Sequence, residues 1–341
     1  MTVKNPGVCA ILLLPTLVIV FALAACSSGG SSPTSSSTAL APTVTSPTFV
    51  FDSKCSSIVS TDDLSTDLGT QIMLEGSGPW LDESEWAVSA VNGVRCDWES
   101  SSSAHAQSLD LIVIPASVGK ASSYPAFDCV TNANSSIGDC DFNAVYSGYW
   151  FSGMVQLDNG STNAQAQAAA VVLETQLEKS AAAAGKAPAV AAITGAWPKP
   201  ISCSAVDSAG KISRSLGSPA LALQGQSATI ENGNPDAYTA AVSSSSYLPC
   251  NWEAADSSTG FAVYLYPGGA WAKPDLVSSA SKSASVTGAT SAYLSPGIEG
   301  SSLLDVFVGP NAFVVEPDPG VTDAQLETVA AHVIKGMKGI K

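Results

Sequence analysis

One four-residue word, Cys-x-Trp-Glu, stands twice in this chain, as Cys96-Asp97-Trp98-Glu99 and as Cys250-Asn251-Trp252-Glu253. Upstream of each copy lies another cysteine, Cys55 and Cys203, opening the similar stretches CSSIVSTDDLSTDLG and CSAVDSAGKISRSLG. Both stretches end in an apolar residue followed by glycine, Leu68-Gly69 and Leu216-Gly217, a helix stop that predicts one short helix after each cysteine. Past each Cys-x-Trp-Glu comes an alternating strand ending in proline, LDLIVIP and FAVYLYP. Leu109, Leu111 and Val113 share one face of the first, and Phe261, Val263 and Leu265 match them in the second. Two aromatic and β-branched runs follow, AVYSGYWFSGMV and LLDVFVGPNAFVV, each a hairpin pattern with a glycine in the turn. Each half then closes on the same capping box, Thr162-Asn163-Ala164-Gln165 and Thr322-Asp323-Ala324-Gln325. Ala166, Ala169, Ala170, Leu173 and Leu177 form the apolar stripe of the first closing helix, and Leu326, Val329, Ala330, Val333 and Met337 that of the second.

Features recurring in one order predict an internal duplication into two units, not a solenoid. The expected fold class is α+β, with two tandem duplicated units, each a small antiparallel sheet with helices packed on one face. The first unit covers residues 51–182, an Ala/Pro linker covers 183–199, and the second unit covers 200–341. A chain of 341 residues is long enough for both.

The first residues read as an address. A start carrying one cation, Lys4, leads into an apolar run from Val8 to Ala25, and small residues precede a break at Cys26. The run is long enough to remain as a membrane helix, but the small residues before the break and the Ser/Gly tract after it favour cleavage. Leu23-Ala24-Ala25-Cys26 resembles a bacterial lipobox, which implies that residues 1–25 are a signal peptide and that the Cys26 thiol is acylated. More than one acyl chain on a residue makes a stable membrane anchor. Residues 26–50 are rich in Ser, Thr and Pro, too poor in apolar surface to order themselves at their start, and read as a disordered tether.

Of eight cysteines, Cys9 leaves with the signal and Cys26 takes the lipid, so six remain in an oxidising compartment. The duplication selects one pairing, with each unit closed on itself: Cys55–Cys96, Cys203–Cys250, and Cys129–Cys140 within the first unit. Cys and Trp at i and i+2 of a strand point to one face, so the indole is expected to cover the disulfide. Metal is the competing reading. No close C-x-x-C pair occurs, and the two histidines, His105 in a polar loop and His332 off its helix stripe, read as surface residues, so no metal site and no cofactor are expected.

The chemistry of enzymes leaves little trace. G-x-S-x-G, H-E-x-x-H and a phosphate-cradling glycine loop are absent. S-x-x-K at Ser117–Lys120, Ser208–Lys211 and Ser279–Lys282 lacks its S-D-N and K-T-G partners. Asp139-Cys140-Asp141-Phe142-Asn143 begins like a calcium loop but has Ala144 where glycine is needed. A net charge of −15 repels nucleic acid. Aromatic clusters remain: Tyr146, Tyr149 and Trp150 in the first unit, Tyr264, Tyr266 and Trp271 in the second. They read either as core and sheet face or as a ligand-binding patch.

Lipobox, tether, then Cys…Cys-x-Trp with a closing helix resembles the actinobacterial envelope lipoproteins whose domain has no known function. The matching residues are Cys55, Cys96 and Trp98, and again Cys203, Cys250 and Trp252. The tandem copy and the Cys129–Cys140 pair depart from the single-domain pattern. The resemblance implies a location at the outer face of the bacterial cell membrane, anchored through its acyl groups, and brings no activity with it. The expected function is that of a non-catalytic, lipid-anchored cell-surface protein binding an envelope component or partner protein. A carrier of a lipid or other apolar small ligand is the alternative, and an unrecognised envelope hydrolase the third.

Overall fold

The computed structural model describes residues 46–78, 86–100, 108–121, 126–129, 137–159, 161–198, 201–215, 221–224, 237–254, 259–297 and 301–340. The expected signal peptide, Cys26, the expected tether up to residue 45, His105 and the Leu216-Gly217 helix stop lie outside them. None of the described helices is long and apolar enough to cross a membrane.

The first half runs α1 (Thr61–Leu68), β1 (Ile72–Gly78), α2 (Trp86–Ala90), β2 (Val94–Ser100), β3 (Ser108–Pro115), β4 (Phe127–Asp128), β5 (Ile137–Tyr146), β6 (Tyr149–Asn159) and α3 (Asn163–Ala184). Ser60 caps α1 by accepting from the Asp63 amide, and Gly69, at φ 68°, ends it in the left-handed turn the sequence anticipates. The six strands are antiparallel, in the order β1-β2-β3-β6-β5-β4. Ser147 and Gly148, both at positive φ, turn β5 into β6. Leu109, Leu111 and Val113 face α3, whose Leu173 and Leu177 pack on them in one core with Cys96 and Trp98.

The second half runs α4 (Cys203–Val206), β7 (Leu221–Gln224), α5 (Ala237–Ser245), β8 (Leu248–Ala254), β9 (Gly260–Tyr266), α6 (Lys273–Leu276), β10 (Lys282–Ala284), β11 (Ser291–Pro296), β12 (Ser302–Val308), β13 (Asn311–Pro317) and α7 (Asp323–Gly339). Its sheet is antiparallel in the order β10-β11-β12-β13-β9-β8-β7. Read from β7, this is the path of the first sheet with one more edge strand, β10. Both closing helices carry the complete capping box, Thr162 with Gln165 and Thr322 with Gln325. The opening helix differs. After one turn at α4, the Asp207 carboxylate draws the amides of Ile212 and Ser213 into a turn, where the first half forms two turns of α1. An aspartate that bonds the backbone ahead of it competes with helix.

Disulfides join Cys55 to Cys96, Cys129 to Cys140 and Cys203 to Cys250, with Cα separations of 5.7, 4.1 and 5.6 Å. Trp98 and Trp252 are each 1% exposed, on the disulfide side of their strands.

The outer faces of the two sheets carry α3 and α7. Their inner faces carry α2 and α5, which lie against each other. Val88 of α2 and Val91 just after it, with Ala237 and Ala241 of α5, meet Ile112, Ile114 and Trp150 of the first sheet. Trp86 of α2 and Val242 of α5 meet Tyr266, Phe307 and Val314 of the second. Each short helix thus serves both halves. Gly269 lets the second half approach Trp86, since a Cβ there would lie 2.9 Å from its Nε1.

Two boundaries differ from the sequence reading. The tether ends before Phe49: Phe49 sits edge-on to Trp271 at 5.7 Å, and Val50 is fully buried with its amide on Asn92 O at 2.8 Å. The linker is shorter, because α3 reaches Ala184, and it is fastened. Asn92 Nδ2 donates to Ala189 O at 3.1 Å. Asn311, 3% exposed, accepts from Trp197 N (2.8 Å) and Gly268 N (2.9 Å) and donates to Gly195 O (3.2 Å) and Val308 O (3.3 Å). All hydrogen-bonding positions of this buried amide are used, and they tie the linker to the β12–β13 turn. Residues 185–198 are a strap rather than a free connector.

Candidate functional site

A groove of about 520 Å³ lies where the halves meet. Ala90 and Val91 at the end of α2, and Ser244, Ser245 and Ser246 at the end of α5, form two walls. Ser117 and Val118 after β3 and Pro267 after β9 add the ends of the central strands, and the strap closes the groove with Ala189–Ile193, Ala196 and Trp197. Among the described residues, none with an ionisable side chain lines it. The carbonyl ends of two helices converge there, so its backbone dipoles disfavour anions, as does the net charge of −15.

The three serines differ. Ser244 Oγ donates to Val118 O at 3.1 Å, bracing one half on the other. Ser245 Oγ donates to Val242 O and accepts from Tyr247 N, both at 3.2 Å. Ser246 stands at φ 63°, and its Oγ is buried with no hydrogen-bond partner among the described residues.

The six aromatic residues singled out from the sequence do not converge. Trp150 and Tyr266 are fully buried and Trp271 is 6% exposed. All three are packed in the seam between the sheets, Trp150 with its Nε1 on Asn143 Oδ1 at 3.2 Å and Tyr266 against Trp86 at 5.1 Å. Their apolar area went into joining the halves, so they form no recognition patch. Tyr146 packs beside the first core and donates to Glu174 Oε1 at 2.6 Å; burial, then that carboxylate, raises its pKa. Tyr264 donates to Glu316 Oε2 at 3.1 Å and lines a shallow acidic hollow with Glu253, Glu316 and Asp318. Tyr149 lines a separate cleft near the start of the first half. Under α3, where a carried ligand was a candidate occupant, the space lined by Leu64, Leu68, Leu109, Val155, Ala169 and Leu173 holds about 10 Å³.

Two carboxylates are perturbed outside these hollows. Asp305, 2% exposed, is pushed up to about 6 by burial, against the hydrogen bond from Ser295 Oγ at 2.5 Å. Asp97 faces Asp110 across β2 and β3 and is raised to about 6, first by burial and then by Asp110, while Arg95 opposes the rise. The same strand positions in the second half hold Asn251 and Ala262, so the fold does not need the acid pair. Among the described residues, no three His, Cys, Asp or Glu side chains come together as a metal site.

The groove residues escaped sequence reasoning, which treated the linker as passive. The signal was present in Asn92-Gly93 and Asn311, polar residues at turns able to bond a passing strand. Comparison with protein-family models, curated proteins and solved structures returned no match.

Proposed function

We propose that this chain is a non-catalytic binding protein, moored to the outer face of the bacterial cell membrane through acyl groups on Cys26, and that the seam groove takes an uncharged envelope ligand. One observation carries the reading: both halves and the strap build a cavity of about 520 Å³ with no ionisable side chain among its described lining residues. That volume is in the range of small-molecule sites. The lipobox residues and the tether support the location, and the shared strand order supports descent of the halves from one copied unit.

A second reading, carriage of an apolar molecule, draws support from the alanine, valine and isoleucine lining of the same groove. Native mass spectrometry of protein taken from membranes in mild detergent tests both. A bound uncharged mass is expected, lost in Ser117→Trp, which fills the groove mouth from an exposed position. A lipid mass selects the carrier. An empty wild type, or equal occupancy in Ser117→Trp, refutes the site. Cys26→Ala is expected to lose the acyl mass and leave the membrane fraction.

A further inference from the structure

Phe51, Asp52 and Ser53 stand consecutively in the left-handed region, at φ 50°, 53° and 60°. None is glycine. Such a run is unfavourable for L-residues and persists only where its surroundings impose it. Here Val50 N is tied to Asn92 O, Lys54 N donates to Phe51 O at 3.0 Å, and the Phe51 ring lies 4.8 Å from that of Tyr149. What the turn achieves is the placement of Asp52, an exposed carboxylate, on a cleft of about 480 Å³.

The end of α3 and the start of the strap also line the cleft, with Ser180 and Lys186. Asp52 and Lys186 form no ion pair among the described residues, so two opposite charges stand apart on one cleft. Tyr149 lines the same cleft. It is 3% exposed, yet its hydroxyl makes no hydrogen bond among the described residues. Burial first, and then the Asp52 charge, raises its pKa, consistent with the two groups sharing the cleft.

We propose that this cleft is a second binding site, separate from the seam groove, for a small zwitterion of the amino-acid type. Asp52 and the Tyr149 oxygen take the ammonium group, and Lys186 takes the carboxylate. A purely anionic ligand meets Asp52, a purely cationic one meets Lys186, and a sugar leaves both charges unanswered. A zwitterion answers both and, being neutral overall, is not repelled by a chain of net charge −15.

The test is calorimetric titration of the folded protein with L-alanine and L-phenylalanine at neutral pH, with acetate, methylamine and glucose as comparison probes. Saturable binding of the amino acids alone is expected. Asp52→Asn and Lys186→Ala each weaken it roughly tenfold or more, the scale of a charge-assisted hydrogen bond. Tyr149→Phe weakens it several-fold. Asp52→Gly separates function from architecture, because it relieves the turn: its Tm rises while its binding falls. Ser117→Trp, which blocks the groove, leaves the titration unchanged. Absence of amino-acid binding, equal binding of glucose, wild-type binding by Asp52→Gly, or loss of binding in Ser117→Trp overturns the proposal.

Discussion

Ser246→Gly should stabilise this protein, although it deletes a side chain at the centre of the molecule. Position 246 follows α5 at φ 63°, as position 92 follows α2 at φ 67°. Both positions precede the Cys-x-Trp strand by the same count, with Asn92 four residues before Cys96 and Ser246 four before Cys250. Asn92 suits the site, because asparagine tolerates the left-handed region and its Nδ2 bonds Ala189 O. Ser246 has neither advantage, and its Oγ is buried without a partner among the described residues. Relief of the left-handed serine is worth about 1 kcal/mol, and removal of an orphan hydroxyl about 1–3 kcal/mol. Glycine returns roughly 0.5–1 kcal/mol through the freedom it gives the unfolded chain. The net expectation is a gain of roughly 1–3 kcal/mol, or about 2–5 °C in Tm for a domain of this size. Asn92→Gly should move the other way by about 1–2 kcal/mol, since it breaks a buried hydrogen bond and relieves little strain. Thermal unfolding followed by circular dichroism, with urea titration as a second measure, reads both. Equal signs for the two variants, or a lower Tm for Ser246→Gly, would refute the idea that strain and an orphan hydroxyl govern position 246.

Asp305→Asn should raise stability at pH 7.5 by up to roughly 3 kcal/mol, the cost of ionising a carboxyl whose pKa stands at about 6 instead of 3.8. Because the folded pKa is raised, its stabilising contribution is complete below the unfolded pKa and is lost as pH rises through about 6. The variant's urea midpoint should therefore depend less on pH between about 4 and 6, and an unchanged pH profile counts against the reasoning. Asp97 should titrate near pH 6 by carbon-detected NMR and fall towards the ordinary carboxylate range in Asp110→Ala, which copies Ala262; no movement would show that the facing charge is not a cause. Opening Cys203–Cys250 by a double serine substitution should cost about 4 kcal/mol, from the chain entropy of a 47-residue loop. A loss under about 1 kcal/mol would mean that α4 stays on β8 without its bridge. Asn311→Ala should cost about 2–4 kcal/mol and open the strap to proteolysis between residues 185 and 198, because four hydrogen bonds end on one side chain; intact strap peptides after limited digestion would deny its fastening role.

Local structure was legible wherever a residue type has one physical reason to be there. Thr162 and Thr322 announce helix starts because a hydroxyl and a glutamine three residues on can satisfy each other's amides. Gly69 announces a stop because it reaches the left-handed region freely. Leu109, Leu111 and Val113 announce a buried face because strand side chains alternate. What the alternation left unread was the other face. Ile112, Ile114, Trp150, Tyr264 and Tyr266 are also apolar or aromatic, so these strands are covered on both sides along part of their length. Pattern cannot say what covers a second face. The sequence reading offered a ligand patch, and the structure supplies α2, α5 and the opposite half. The groove was illegible for a related reason, since its walls are short pieces, mostly of Ala, Ser and Val, contributed by separate stretches of chain.

The exchange of helices bears on why the site lies where it does. Were each half closed on its own helix pair, the inner sheet faces would be complete and the halves could be joined by any flexible linker. Instead α2 presents Val88 to one sheet and Trp86 to the other, and Ser244 of α5 bonds Val118 of the first half. The seam is therefore a core shared by both halves, and its packing keeps the ends of four elements together. Helix ends and strand ends meeting around a shared axis cannot fill space as side chains on continuous faces do, because each end must leave room for the chain to turn. A hollow remains there, lined by turn residues and roofed by the strap, which two buried asparagines hold together with the packing of Ile193 and Trp197. The same arrangement that makes the halves inseparable produces a cavity to which both contribute.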